Sequence, residues 1–76
     1  MCGIIGIVSN KSVSSSIINA LKKLEYRGYD SAGISTIHNG LINENKCSGR
    51  VENLERILFE SPPVGDLGIG HVRWAT

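Results

Sequence analysis

Asn39-Gly40 is the residue pair that most restricts how this chain can fold. A two-residue hairpin loop of type I′ needs positive φ at both central positions, which asparagine tolerates and glycine adopts freely. The flanking runs are AGISTIH at 32–38 and LINENKC at 41–47. The pair therefore predicts two antiparallel strands joined by a tight turn.

Away from this hairpin the apolar period alternates between that of strands and that of helices. GIIGIV at 3–8 is a short β-branched run ended by Ser9-Asn10, and it reads as a buried strand. Val13, Ile17, Leu21 and Leu24 then recur at helical spacing, with Ile18 widening the stripe and Lys22, Lys23 and Glu25 on the other face. This predicts a helix from about Ser14 to Glu25, with N-caps supplied by the serine cluster Ser12 to Ser16. Tyr26 to Ser31 breaks both periods and reads as a loop. Val51, Leu54, Ile57 and Leu58 mark one face of a shorter helix that Pro62-Pro63 cannot continue. Leu67 to Thr76 closes the chain as a Gly-punctuated strand. The order β-α-β-β-α-β predicts an α+β fold. By pattern alone it also fits a ferredoxin-like split βαβ unit.

Size sets a limit on that fold. The chain has 76 residues, and a chain this short buries only about 60% of the surface it exposes when unfolded. The composition is nevertheless globular, 41% hydrophobic and 20% charged. Net charge is +1, the only adjacent basic pair is Lys22-Lys23, and aromatic residues are few, so no nucleic-acid partner is expected. Cys2 and Cys47 make neither a disulfide framework nor a zinc site, and no metal or cofactor signature is present. The start lacks a basic n-region, and the apolar runs are too short for a membrane span. A reducing, cytoplasmic location is the default expectation.

Cys2 carries the first chemical signal. Removal of Met1 would place a thiol and a free α-amine on one residue. Their reference pKa values, about 8.5 and 7.7–8.0, allow one to take the other's proton near neutral pH. This is the N-terminal-nucleophile arrangement, with the amine as general base. Gly3 would relieve crowding beside the thiol and permit unusual backbone angles. The plainer reading makes Cys2 an ordinary small residue at a chain end.

Three motifs decide between these readings. MCGIIGIV at the start, LEYRGYDSAGI at 24–34 and GIGHVRWAT at 68–76 occur together in this order. They resemble the glutaminase domain of the glutamine–fructose-6-phosphate aminotransferase family, class II glutamine amidotransferases of the N-terminal-nucleophile hydrolase fold. The resemblance covers essentially the whole chain. Amidophosphoribosyltransferase, asparagine synthetase and glutamate synthase share parts of the pattern, but EYRGYDSAGI and RWAT favour the sugar-phosphate family.

The resemblance implies a fragment of the four-layer αββα sandwich and a set of roles. Cys2 is the nucleophile, and glutamine is the small-molecule substrate. Arg73 clamps its α-carboxylate, a task suited to the planar guanidinium fork. Trp74 and Thr76 shape and bond the glutamine pocket, and on the plainer reading Trp74 is a core aromatic. Arg27 helps organise the cysteine end, and Gly28 gives close backbone approach or simply turns the chain. Tyr29, Asp30 and Ser31 are read as structural, as is His71. His38 is expected to be exposed beside the hairpin, and Cys47 to be a small apolar side chain.

The chain also departs from the family pattern. Val72 stands where the family has threonine. The family continues beyond RWAT with His-Gly, with an Asn-Gly oxyanion hole and with an aspartate that binds the glutamine amine. It also has isomerase domains that bind fructose 6-phosphate. Residues 1–76 are therefore expected to be a partial amidotransferase domain with no isomerase domain, inactive alone. The alternative is a non-catalytic relic or interaction module. The sheet face opposite the helices is expected to be apolar and uncovered, open to self-association or a complementing chain.

Overall fold

The computed structural model describes residues 2–27 and 30–74, with Cys2 and Arg27 placed by backbone alone. Strand β1 (Cys2–Val8) leads to helix α1 (Ser14–Leu24), which ends in a 3₁₀ turn (Glu25–Arg27). Strands β2 (Ser31–His38) and β3 (Leu41–Ser48), helix α2 (Val51–Glu60) and strand β4 (Leu67–Arg73) follow. The predicted hairpin forms: Asn39 and Gly40 have φ of 52° and 76°, and His38 pairs with Leu41 across the turn.

The four strands make one sheet in the order β1-β4-β2-β3, with every neighbouring pair antiparallel. The last strand thus enters between β1 and β2. Each helix joins two parallel strands that have a third inserted between them, a feature shared with the split βαβ pattern. Here β1 lies at the sheet edge.

Both helices pack on one face, and the core lies beneath them. Val13, Ile17, Ile18 and Leu21 meet Val51, Leu54 and Leu58 over Ala32, Ile34 and Val72 of the sheet. Burying each large side chain of this kind contributes about 1.5–3 kcal/mol. Thr36 is the buried polar residue of this layer, and its hydroxyl donates to the Val64 carbonyl at 3.2 Å. Lys22 of α1 and Glu55 of α2 form an exposed ion pair at 2.8 Å.

The helix ends depart from expectation. No serine caps α1: Val13 occupies the N-cap position with helical backbone angles and no side-chain cap bond. Its N–H donates instead to the Gly65 carbonyl at 2.9 Å, and its side chain is buried. Burial of an apolar residue therefore decided the helix start over cap chemistry. Ile57 is also a correction, being 45% exposed while Val51, Leu54 and Leu58 are buried. Those three recur at i, i+3 and i+7, and Ile57 falls to one side of that stripe.

The opposite face of the sheet is uncovered, apolar over much of its area and polar around Ser35, Glu44, Lys46 and His71. Ile4 and Val8 of β1, Ile37 of β2, Ile42 of β3, and Leu67 and Ile69 of β4 are all exposed. A depression of about 370 Å³ on this face is lined by Ile37, Ile42, Leu67 and Ile69 among others. Neither helix is long and apolar enough to cross a membrane.

Candidate functional site

The register brings the three sequence motifs to one end of the sheet. Cys2 begins β1 opposite Arg73, which ends β4. Arg73 also pairs with Ser31 at the start of β2, and Ser31 pairs with Ser48 at the end of β3. Cys2, Arg73, Ser31 and Ser48 therefore form a single row across all four strands. Antiparallel pairing is the cause, because it sets strand beginnings against strand ends.

The C-terminal end of α1 closes the helix side of this row. Trp74 Nε1 donates to the Leu24 carbonyl at 3.1 Å, satisfying one of the carbonyls a helix end leaves open. The indole is half-buried against the core and meets the Tyr26 ring edge-on, with centroids 6.4 Å apart at 67°. Trp74 thus has the core-side role of the plainer reading, and it fastens the RWAT segment to the LEYR segment.

Gly3 is buried in regular strand geometry. A side chain there would meet Leu24 Cδ1 at 3.0 Å and Val72 Cγ2 at 3.3 Å. The room it leaves is on the helix side, so the unusual backbone angles expected of it are not used. Val72 is itself buried.

Arg73 is 70% exposed, and its Nε lies 3.6 Å from Asp30 Oδ2. Its side chain is therefore open to solvent from within the row, between Cys2 and Ser31. His71, one step in, is half-buried with Nε2 over Gly33, where a Cβ would come within 2.6 Å of it. A shallow depression of about 210 Å³ lined by Ser31, Lys46, Cys47, Ser48 and His71 borders the row. That volume is below the ~300 Å³ at which ordinary small-molecule pockets begin.

His38 is exposed and contacts Asn39. Cys47 is free and half-buried against the core, and its thiol donates to the Ser48 carbonyl at 3.3 Å. Gly28, Tyr29 and Thr76 lie outside the described residues, as do the side chains of Cys2 and Arg27. Among the described residues no group of three His, Cys, Asp or Glu side chains is placed to hold a metal ion.

Two features escaped the sequence reading. The Asp30–Arg73 ion pair was hidden because the residues are far apart in the chain and only the β2–β4 register makes them neighbours. The Glu25 carboxylate accepts from the Val51 N–H at 2.6 Å, capping α2 from the end of α1. No spacing rule reports a cap supplied from so far away.

Relatives agree with the motifs. The chain is 55% identical over all 76 residues to glutamine–fructose-6-phosphate aminotransferase [isomerizing] of Clostridium acetobutylicum, 57% to that of Bartonella quintana and 54% to that of Brucella abortus. The chain is homologous to the N-terminal part of these enzymes. It spans 12% of the length of those relatives. No family model matches the chain. The match runs over the whole of this chain, the segments of the three motifs and of the row included.

Proposed function

We propose that this chain is the N-terminal part of the glutamine-hydrolysing domain of a glutamine–fructose-6-phosphate aminotransferase, working in the cytoplasm. The observation that carries the reading is the register, which sets Cys2 opposite Arg73 at the open end of the sheet. A nucleophile and a carboxylate clamp on adjacent strands suit an amino-acid substrate held by one end and attacked at the other. The finer fold proposed is the αββα sandwich of N-terminal-nucleophile hydrolases. Two helices on one face and an uncovered, largely apolar patch on the other support it, since a second sheet would cover that patch.

In this mechanism Met1 is removed and the α-amine of Cys2 takes the thiol proton. The thiolate attacks the side-chain amide carbon of glutamine, giving a tetrahedral oxyanion. The carbon–nitrogen bond then breaks, the α-ammonium returns its proton to the leaving nitrogen, and ammonia departs. Water attacks the remaining thioester, releases glutamate and restores the thiol. Arg73 binds the α-carboxylate throughout, and Trp74 and Thr76 border the glutamine pocket. Gly3, Arg27 and Gly28 support the cysteine end. The ammonia condenses with the C2 carbonyl of fructose 6-phosphate with loss of water, and isomerisation of the imine gives glucosamine 6-phosphate.

The test uses the full-length protein and a glutamine analogue carrying an electrophile at the amide position. The peptide beginning with Cys2 should gain the analogue's mass, free glutamine should protect it, and Cys2→Ala should abolish both labelling and glutamate release. Glutamate release that survives in Cys2→Ala would refute the assignment.

A further inference from the structure

Asp30 is held beside the end of β4 from two sides. Its carbonyl accepts from the Gly49 N–H at 2.7 Å, carrying the β2–β3 ladder one step past the Ser31–Ser48 pair. Ser31, the next residue, pairs with Arg73. The Asp30 carboxylate then meets the guanidinium at Nε, with Oδ2 at 3.6 Å. A guanidinium has two useful edges, and bidentate recognition of a carboxylate needs two parallel N–H groups. The ion pair runs through Nε, which lies across the guanidinium carbon from the edge formed by the two Nη nitrogens.

We propose that Asp30 is a positioning residue for Arg73: by holding Nε it presents the Nη edge to the α-carboxylate of the substrate. This rests on the glutaminase reading of Arg73 given above. Asp30 acts through Arg73 and does not itself touch substrate. Both side chains are partly exposed, at 70% and 47%, so water screens the attraction. Its effect is to narrow the rotamers of a long side chain before substrate arrives. Exposed pairs contribute ~0.2–1 kcal/mol, which sets the expected effect at up to about fivefold.

The experiment is steady-state glutamine hydrolysis by the full-length protein and its variants. Asp30→Asn should raise the KM for glutamine by up to about fivefold with kcat unchanged, and Asp30→Glu should restore most of the loss. The difference should shrink in 1 M salt, where the Debye length is only about 3 Å. Arg73→Lys should raise KM by itself, and adding Asp30→Asn to it should change little further. If Arg73→Lys raises KM while Asp30→Asn leaves it unchanged or lowers it, the positioning role is wrong and the clamp stands. A loss of kcat alone in Asp30→Asn would overturn the role equally. If Arg73→Lys leaves KM unchanged, the clamp reading falls and the role of Asp30 falls with it.

Discussion

Glu25 illustrates how one side chain can serve an element other than its own. It closes α1 in sequence, yet its carboxylate accepts the Val51 N–H at the start of α2. A carboxylate at a helix N-terminus satisfies an orphan donor and favours the positive end of the helix dipole. The α2 N-cap residue, Arg50, makes no side-chain cap bond of this kind, so Glu25 supplies it. Glu25→Ala should therefore destabilise the fold by about 0.5–2 kcal/mol, the usual cost of a lost cap. Chemical denaturation followed by the emission of Trp74 would report it; an unchanged midpoint would mean that the cap contributes nothing. The same contact explains part of the LEYRGYDSAGI motif without invoking catalysis.

At the scale of elements, the glycines of β4 explain why α1 can lie so close to the sheet. A Cβ on Gly70 would come within 2.5 Å of Ile17 Cγ2 and 3.2 Å of Leu21 Cδ1, both deep in the core. A Cβ on Gly68, which faces the same helix, would come within 2.9 Å of Ile17 Cδ1. Gly40 differs, because nothing lies within 4 Å and its φ of +76° alone calls for glycine. Gly70→Ala should therefore destabilise by about 1–3 kcal/mol through overpacking. Gly40→Ala should cost about 1–2 kcal/mol through the left-handed backbone. The two are separable by compensation: trimming Ile17 to Val should recover part of the loss in Gly70→Ala and none in Gly40→Ala. Equal responses to the trimmed Ile17 would show that space is not the issue at Gly70.

For the molecule as a whole, the uncovered face dominates. Ile4, Val8, Ile42 and Ile69 are each more than half exposed on one side of the sheet. An exposed apolar patch of this kind favours association. The 76-residue polypeptide by itself should sediment faster than an 8.2 kDa monomer, and Ile42→Lys with Ile69→Lys should move it towards monomer. A monodisperse monomer in the unsubstituted polypeptide would sink this expectation.

Much of the architecture was readable without coordinates, because it depends on neighbours within a few residues. The Asn39-Gly40 turn, the stripe from Val13 to Leu24 and the stop at Pro62-Pro63 are local steric and periodic facts, and each strand and helix formed within a few residues of its predicted span. The misreadings were also local in origin. The serines suggest a cap for α1, but Val13 is buried at that position instead, and Ile57 has the spacing of a stripe it only borders. What the chain carried by itself was its element order, its two-sided pattern and the three motifs that name its relatives. Only the tertiary structure decided that β4 enters between β1 and β2, and so places Arg73 between Cys2 and Ser31. Strand order and long-range pairs such as Asp30 with Arg73 depend on which distant surfaces bury each other, and no short-range spacing encodes that.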